Sequence, residues 1–358
     1  MTAVTIIGGG IAGLALAAAL DPTRFDVTLA EQRAELPATG TSLAIWPEAR
    51  AALEELGVYA GLAALSPHID RFPLRSATGA AWAEMPTPRA ALVARADLLH
   101  ALDAAVPSSV HRVVARVDRV EASAGELVIG ADGVHSAVRR AGWGSRADAA
   151  VTPYLAVRGV LPEPVAEDAF GEYWGRGRLY GIGPHRAGTN WYASFQSELG
   201  PRGVDVAEAL RQARHGGSAV APAIAHVLDT ATPDTTLAQR IWTTPRLRSY
   251  VHGRLVLVGD AAHAMTPNLG RGACEALIDA VTLGRLLNAL PMREALAAYD
   301  RDRVRPTQRR RAASAALMRL ALAERSQPAR DRLMGLAGAL ARRRGREAEP
   351  AAAVGAPR

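Results

Sequence analysis

The chain has 358 residues, 49% of them hydrophobic, which suits about two globular domains of roughly 150 residues each. Its single cysteine, Cys274, excludes an internal disulfide and any metal site built from several cysteines. The net charge of +7 is carried by arginine alone, and the absence of lysine excludes Schiff-base chemistry and a phosphate-binding loop that needs its lysine.

The first predicted element is a buried strand, Val4 to Ile7, followed at once by a glycine-rich turn and a helix. The turn has the G-x-G-x-x-G spacing, which allows a tight turn, close approach of a pyrophosphate, and helix packing on the strand. Its glycines are Gly8, Gly10 and Gly13. A second strand, Asp26 to Ala30, ends at Glu31, whose carboxylate suits ribose hydroxyls and repels a 2′-phosphate. The motif predicts a site for the adenosine half of FAD or NAD.

The segment from 40 to 57 predicts a short strand and an amphipathic helix, and the segment from 66 to 89 predicts a hairpin with a turn at Ser76 to Gly79. Arg95 then stands at the head of a helix from Ala96 to Ala105. A cation is unfavourable at the amino terminus of a helix unless an anion lies beside it. A phosphate contact and a solvated arginine both remain open here.

A second motif, GADG, follows a buried strand from Leu127 to Ile129 and precedes a helix that starts at Ser136. Its Asp132 stands where a carboxylate orients ribose or pyrophosphate groups. Taken singly, the motif is equally compatible with an ordinary turn.

A third motif occupies Arg254 to Ala280 and reads as a buried strand, Gly259-Asp260, a glycine-rich loop and a helix. The helix directs its amino terminus at the loop, where free N–H groups stabilise an anion. A plain strand-to-helix crossover capped by an aspartate is the alternative.

Alternating strands between Tyr154 and Tyr250 carry most of the aromatic residues. Trp191 and Phe195 share one face of a strand, and Asn190, Tyr192 and Ser194 share the other, but the sequence does not say which face lines a site. Arg158 is the candidate for a polar substrate contact, with a structural ion pair as its alternative. The tail from Ala341 to Arg358 predicts a frayed helix and then disorder.

The three motifs, in this order, resemble the single-component FAD-dependent monooxygenases of the para-hydroxybenzoate hydroxylase type over roughly residues 3 to 325. The resemblance implies an α/β fold with a Rossmann-like FAD-binding domain, an inserted mixed β-sheet substrate domain and C-terminal helices. The FAD-binding domain is expected to comprise 1–70, 95–150 and 250–290, and the substrate domain 71–94 and 151–249. Helices at 291–340 and a disordered tail at 341–358 complete the expected organisation.

The resemblance also implies cofactor contacts, with backbone N–H groups from Gly270 to Ala273 facing the pyrimidine edge of the flavin. The implied contact residues are Gly8, Gly10, Ala12, Gly13, Glu31, Gln32, Arg33, Arg95, Val117, Asp132, Gly259, Asp260, Pro267, Gly270, Arg271, Gly272, Ala273 and Cys274. The family often has asparagine where this chain has Cys274, for which a small buried thiol is expected. His263 is expected to be a packed, hydrogen-bonded histidine rather than a base. The segment from Val120 to Glu126 is shorter than the family's pattern.

The implied activity is oxygenation: NADH or NADPH reduces bound FAD, and one atom of O2 is transferred to an electron-rich small molecule of aromatic or phenolic type. The implied substrate contacts are Arg158, Trp174, Tyr180, Tyr192 and Pro267. Epoxidation, a flavin reductase or dehydrogenase, and a non-catalytic FAD-binding protein are the alternatives.

We expect a cytoplasmic monomer or homodimer without a metal or a nucleic-acid partner. The arginines form no basic groove interleaved with aromatic residues, and no apolar run reaches the roughly 18 residues of a membrane span. The first residues also lack a secretory signal pattern.

Overall fold

The computed structural model describes residues 1–37, 40–120, 125–215 and 219–348, without the side chains of 85–89 and 340–348. The shortened segment between Val120 and Glu126 falls largely on 121–124, and the end of the tail falls on 349–358, so both lie outside the described residues.

The described residues form fourteen strands. They are β1 Thr2–Ile7, β2 Phe25–Glu31, β3 Ser42–Ile45, β4 His68–Ser76, β5 Ala81–Ala94, β6 His111–Val114, β7 Leu127–Gly130, β8 Ala150–Leu161, β9 Gly171–Trp174, β10 Arg178–His185, β11 Gly188–Gln196, β12 Thr236–Thr243, β13 Val251–His252 and β14 Leu255–Leu257.

The α-helices over the same ranges are α1 Ile11–Ala19, α2 Pro47–Glu55, α3 Tyr59–Leu65, α4 Arg95–Ala105, α5 Ala137–Trp143, α6 Val206–Arg214, α7 Pro222–Thr230, α8 Asp260–His263, α9 Gly272–Ala289, α10 Met292–Ala321 and α11 Gln327–Ala348. Short 3-10 turns lie at Ser145–Ala147, Glu167–Ala169, Pro233–Thr235 and Pro267–Leu269.

The first sheet has six strands in the order β13-β14-β7-β1-β2-β6. All its pairs are parallel except β13 with β14. Its central strands are buried on both faces, as their unbroken hydrophobic runs predict. Ile7 pairs with both Ala30 and Gly130, and Gly130 pairs with Leu257. The three sequence motifs therefore begin at one edge of one sheet, where ligands bind in open α/β folds.

The second sheet has eight strands in the order β12-β8-β11-β10-β9-β4-β5-β3. It is mixed, because β4 pairs parallel with β9 whereas the other pairs are antiparallel. One face packs on α6 and α7, and the other packs partly on α10 and α11.

The structure confirms the expected α/β class, with a Rossmann-like first sheet and a large mixed second sheet. It differs in detail over residues 40–70, which the sequence assigned to the first unit. There β3 and the first residues of β4 pair with β5 at the edge of the second sheet. Ile45 of β3 nevertheless packs in the core of the first sheet, so this edge joins the two layers. In the tail, α11 continues to Ala348, into the segment for which the sequence predicted a frayed helix.

Over the described ranges, none of the helices combines the length and the apolar character that crossing a membrane requires. The same ranges contain no cluster of histidine, cysteine, aspartate and glutamate side chains with the arrangement of a metal site.

Candidate functional site

The three glycines of the first motif are required for different physical reasons. A Cβ on Gly13 would lie 1.8 Å from the carbonyl oxygen of Gly8, so this glycine lets α1 pack directly on the turn. Gly8 has φ of +106°, and a Cβ there would lie 2.4 Å from the carbonyl oxygen of Ala131. A Cβ on Gly10 would meet nothing within 4 Å. Gly10 therefore borders open space at the amino terminus of α1, where a pyrophosphate binds in this motif.

Glu31 is held against the glycine turn at the end of β2. Its Oε2 accepts a hydrogen bond of 2.7 Å from the N–H of Gly9, and its Oε1 accepts one of 3.0 Å from the N–H of Arg33. The Ala115 N–H donates to the Glu31 carbonyl at 2.9 Å, which brings the loop with half-buried Val117 beside β2. Gln32 and Arg33 are exposed, and Ala12 is buried beneath the turn. These expected adenosine contacts thus lie together.

Asp132 of the second motif contains an unsatisfied buried acceptor. Its Oδ2 accepts hydrogen bonds from the N–H groups of Ala137 at 2.7 Å and Val138 at 3.2 Å. Its Oδ1 is buried and has no hydrogen-bond partner in the part of the chain that the structure describes. Burial raises the pKa of this carboxyl. Asp132 lies beside Gly8, so a polar group bound at the glycine turn is within reach of a free acceptor.

Arg139 has a structural role beside the site that the sequence analysis did not predict. Its guanidinium is 1% exposed and donates to the carbonyl oxygens of Ala147 at 2.7 Å, Ala261 at 2.7 Å and Val134 at 2.5 Å. Burial lowers its pKa, although the Asp132 charge opposes that shift. Because Val134 directly follows the second motif and Ala261 belongs to the third, Arg139 fixes the two motifs against each other.

The third motif places Asp260 near Arg95, in the region where the two sheets meet. This region is called the cleft. Gly259 has φ of +61°, and a Cβ there would lie 3.1 Å from the Cβ atoms of both Ala12 and Ala276, so the glycine lets α1 and α9 converge. The exposed Asp260 follows at the start of α8, and its Oδ1 lies about 4.0 Å from the position of a Cβ on Gly272.

Arg95 shares this cleft with Asp260. Its N–H donates to the Thr41 carbonyl oxygen at 3.2 Å, while its side chain remains accessible to solvent. Partial desolvation by the surrounding protein lowers the pKa of the guanidinium, and the Asp260 charge partly offsets this shift. Over the described ranges, the guanidinium has no hydrogen bond or ion pair within the chain. The cleft therefore offers an unpaired cation opposite a carboxylate.

The loop before α9 forms the opposite wall. Pro267 is exposed, and Gly270 adopts φ of +59° after the 3-10 turn. The N–H of Gly270 donates to the carbonyl of Pro267 at 2.7 Å. It is therefore not free for a ligand, whereas the sequence analysis expected it to face the flavin. The first bond within α9 runs from the Glu275 N–H to the Arg271 carbonyl. Gly272, Ala273 and Cys274 thus supply the first-turn N–H groups, which have no acceptor within the helix.

The Arg271 side chain packs away from this wall. Its guanidinium lies 6.0 Å from the centroid of the Trp46 ring and forms an ion pair of 3.0 Å with Glu275. The Trp46 Nε1 donates to the Gly270 carbonyl at 3.2 Å. These contacts fix the loop conformation.

Cys274 is buried, as expected from the sequence. Its thiol donates to the carbonyl oxygen of Ala44 at 3.2 Å and thereby joins α9 to β3. Burial raises the pKa of the thiol to about 11, so it is neutral at physiological pH. A neutral, enclosed thiol is not a nucleophile.

His263 is a packed, hydrogen-bonded histidine, as the sequence analysis expected. Its Nε2 lies 2.6 Å from Oδ2 of Asp279, which also accepts the N–H of Gly259 at 2.9 Å. Asp279 Oδ1 accepts from Nε of Arg303 at 2.6 Å, and Arg303 continues to Glu275 at 2.7 Å. Burial lowers the pKa of His263, but the charge and the hydrogen bond of Asp279 together with the Asp260 charge outweigh it, and the net pKa is raised. This buried network supports the turn that presents Asp260.

The second sheet separates the substrate candidates between its two faces. Arg158 and Tyr192 stand opposite each other on β8 and β11, on the face that meets the cleft. The neighbouring Asn190 accepts a hydrogen bond of 3.1 Å from the N–H of Ser42, next to the residue that binds the Arg95 backbone. Tyr180 lies on the other face, buried against α6 and α7. The structure therefore does not bring Tyr180 to the cleft, because β10 points alternate side chains to opposite faces.

Arg158 is close enough to Arg95 for the two charges to interact. Burial lowers the pKa of Arg158, and Arg95 lowers it further. The described residues give the Arg158 guanidinium no hydrogen bond or ion pair, so the structural ion pair considered for it is not formed there. Trp174 is on the same face but buried, and its Nε1 donates to Glu172 at 2.6 Å.

A separate cavity of about 900 Å³ is lined by β4 and by the segments that follow β8 and end β10, with Arg71, Arg75 and His185 among its lining residues. None of the three motifs contributes to its lining over the described ranges. The candidate site is defined instead by the three motifs together with Arg95 and Arg158, which lie where the two sheets meet.

Comparison with known proteins identifies the family that carries these motifs. A family model described as "FAD binding domain" matches residues 108–314, and one described as "NAD(P)-binding Rossmann-like domain" matches residues 6–49. The aurachin C monooxygenase/isomerase of Stigmatella aurantiaca is 30% identical, with 84% of this chain and 85% of that protein covered. The 2-heptyl-3-hydroxy-4(1H)-quinolone synthase of Pseudomonas aeruginosa is 32% identical, with 84% of each chain covered.

The fold agrees with these sequence matches. The crystal structure of Klebsiella pneumoniae HpxO complexed with FAD and uric acid superimposes with a TM-score of 0.80 at 22% identity, covering 94% of this chain and 96% of that one. Fold, motifs and relatives together define a flavin-dependent oxygenase. The chain belongs to the family of single-component FAD-dependent monooxygenases, and FAD is its cofactor.

Proposed function

We propose that this protein uses NADH or NADPH and O2 to hydroxylate a small, electron-rich aromatic or heteroaromatic substrate in the cleft between its two sheets. One observation carries the proposal. The unpaired Arg158 and the half-buried Tyr192 ring lie on the sheet face that borders the cofactor motifs, so a polar group and an aromatic ring line one space. The relatives named for a quinolone and crystallised with uric acid support a heteroaromatic ring.

We further propose how the chain holds FAD. Gly10 would border the pyrophosphate, Glu31 and Val117 would contact the adenosine, and Asp132 Oδ1 would accept from a cofactor hydroxyl. Arg95 and Asp260, whose charges are close enough to interact, would bind the phosphate and ribityl region. The first-turn N–H groups of α9 stabilise negative charge at the pyrimidine edge.

Bound FAD supplies the redox chemistry that reduction by a nicotinamide nucleotide and reaction with O2 require. The share of this chain's own residues is binding, orientation and exclusion of water. In the proposed arrangement, Arg158 binds an oxygen on the substrate, Tyr192 contacts its ring, and Pro267 borders it on the loop side. Trp174 is linked to Tyr192 through Glu172, to which both side chains donate a hydrogen bond. Tyr180 has only a packing role.

The experiment is a screen of phenols, hydroxyquinolines and polyketide-like aromatic compounds against oxidation of NADH and NADPH by the FAD-loaded protein. A substrate accelerates oxidation of one nucleotide and yields a product heavier by one oxygen atom. Acceleration with a product of unchanged or lower mass assigns the protein to the alternative class of flavin reductases or dehydrogenases. An oxygenated alkene in place of a hydroxylated ring identifies the epoxidase alternative.

We propose that the chain acts as a monomer or homodimer in the cytoplasm, where both nicotinamide nucleotides are available. The residues assigned to the site come from both sheets of one chain, which is compatible with a monomer. A solved relative of 25% identity is described as a tetrameric form, which makes higher assembly the alternative. Light scattering of the FAD-loaded protein distinguishes these states.

A further inference from the structure

The ring of Tyr192 lies flat across a glycine of the neighbouring strand. Tyr192 pairs with Gly181 in the β10–β11 ladder. A Cβ on Gly181 would lie 2.0 Å from Cζ and 2.5 Å from the hydroxyl oxygen of Tyr192. Because a Cβ in a strand stands roughly perpendicular to the sheet, the phenol must occupy the space directly above Gly181. One face of the ring is thus turned to the sheet and the other away from it.

The hydroxyl end of this ring is anchored by Glu172. Glu172 pairs with Gly181 from the other side, on β9, so the three residues follow one another across three strands. The Tyr192 hydroxyl donates to Oε2 of Glu172 at 2.8 Å, and Trp174 Nε1 donates to Oε1 at 2.6 Å. These two are the partners of Glu172 within the described part of the chain. A buried carboxylate that accepts two fixed donors holds the tyrosine in one rotamer.

Trp174 is itself fixed from behind. Its ring meets that of Trp82 edge-on at 6.5 Å, and the buried Arg330 guanidinium lies 5.6 Å from its centroid. Arg330 donates to the carbonyl oxygens of Ala321 at 2.6 Å and Gly175 at 3.0 Å. The anchor of Tyr192 is therefore part of a rigid cluster that includes α11.

A second glycine and a cation lie beside the ring on the same face of the sheet. A Cβ on Gly183, two positions along β10 on the same face, would have Leu92 Cδ1 at 3.8 Å as its nearest atom. Gly181 and Gly183 thus place no side chain on this face of β10 next to the ring. On the other side of Tyr192 stands Arg158, whose guanidinium has no acceptor within the described residues.

We propose that Gly181 and Glu172 hold the Tyr192 ring parallel to the sheet, so that its exposed face selects planar rings. Arg158 beside it selects rings with an anionic oxygen at the edge. The substrate class is then a planar aromatic or heteroaromatic ring with an ionised hydroxyl or carboxylate. Glu172 is a positioning residue, and Gly181 determines specificity through the space it leaves. This inference rests on the proposed function, because it assigns the substrate of that same cleft.

The test measures two ratios of dissociation constants by calorimetry on the oxidised, FAD-loaded protein. Planarity is measured with salicylate against 2-hydroxycyclohexanecarboxylate, and charge with salicylate against salicylamide. The corresponding trio built on 4-hydroxyquinoline-2-carboxylate extends both ratios to a larger ring. No nicotinamide or turnover is involved, so failure to oxygenate leaves these ratios readable, and a failure of the proposed function is distinguished from a failure of this inference.

In the unmodified protein we expect each ratio to favour the planar, charged probe by about tenfold, the scale of a stacking contact or a charge-assisted hydrogen bond. Gly181→Ala forces the ring away from the sheet, and Glu172→Leu removes both acceptors. Each variant should bring the planarity ratio close to one and leave the charge ratio unchanged. Glu172→Gln retains an acceptor and should restore the planarity ratio. Arg158→Met should abolish the charge ratio alone.

Tyr180→Phe is the matched control, because it changes the adjacent residue of β10 on the opposite face and should change neither ratio. If Gly181→Ala does not fold, the Glu172 pair still decides the outcome. A merely structural Glu172 would weaken all probes equally in Glu172→Leu. Any one of three results would overturn the proposal. They are equal weakening of all probes in Glu172→Leu, an unchanged planarity ratio in Gly181→Ala, and an unmodified protein that binds none of the probes.

Discussion

Arg139 and Ala261 join the second motif of this protein to the third. Nη1 of Arg139 donates a hydrogen bond of 2.7 Å to the Ala261 carbonyl oxygen, one residue beyond Asp260. The guanidinium is completely enclosed and is satisfied by backbone carbonyls alone. The position of the Asp260 turn relative to Asp132 therefore depends on this buried side chain.

Replacing Arg139 by methionine should lower the free energy of unfolding by about 3 kcal/mol or more, because three buried carbonyls lose a charged donor. Urea denaturation of the FAD-free protein measures the effect. Arg140→Met is the control, since Arg140 is exposed and pairs only with Asp148 at the surface, for which about 0.5 kcal/mol is expected. Equal effects of the two changes would contradict the structural role of Arg139.

Two glycines of the first motif should respond differently to the same change. Gly10→Ala adds a methyl group to open space, so the protein should fold normally but lose FAD on dialysis. Gly13→Ala puts a methyl group against the Gly8 carbonyl and should destabilise the fold itself. Thermal unfolding and flavin absorbance separate the two outcomes. Full retention of flavin by Gly10→Ala would contradict the pyrophosphate position.

Asp260→Ala should weaken FAD binding by about 1.5–3 kcal/mol, the scale for losing a hydrogen bond to a charged group. Fluorescence titration of the FAD-free protein with FAD measures this change. Asp229→Ala on the exposed surface of α7 is the control and should leave the affinity unchanged. An unchanged affinity in Asp260→Ala would remove Asp260 from the site.

The His263–Asp279 pair should make stability depend on pH. The folded pKa of His263 is raised, so its contribution is complete below the unfolded pKa of about 6.5 and is lost as pH rises through the folded value. The folded pKa of Asp279 is lowered, so its contribution is present above about 3.9 and is lost as pH falls. The pair therefore stabilises most between about pH 4 and 6.5.

His263→Gln tests this dependence. The variant should be less stable than the unmodified protein at pH 6, and the difference in unfolding free energy should shrink towards pH 9. Urea denaturation at a series of pH values gives that difference directly. A difference independent of pH would mean that His263 stabilises the fold only as a neutral, packed side chain.

The local part of the fold was predictable because its signals are contiguous in sequence. The strand from Thr2 to Ile7, the glycine turn and α1 form one uninterrupted unit, and each glycine is dictated by atoms close to it. Three such units identified the cofactor edge of the first sheet. Pairing of β3 with β5 was not predictable, because Ser42 meets Ala94 across a long separation that leaves no periodic pattern.

The substrate side shows where sequence reasoning ends. Alternation separated Trp191 from Tyr192, but only the packing of α6 and α7 decides that Trp191 is covered and Tyr192 faces the cleft. The same packing places Tyr180 in the core. Glu172 was missed because a single glutamate in a short strand resembles a solvent-facing residue. Its position between aromatic residues was the available signal. The structure explains that position, because Glu172 accepts a hydrogen bond from the Tyr192 hydroxyl.

The most direct test of the central claim is oxygenation under heavy O2. The FAD-loaded protein, reduced with NADH or NADPH and given a substrate found in the screen, should form a product that carries one labelled oxygen atom per turnover. The same reaction in labelled water with ordinary O2 should leave that product unlabelled. A dehydrogenated product without label would contradict the monooxygenase account.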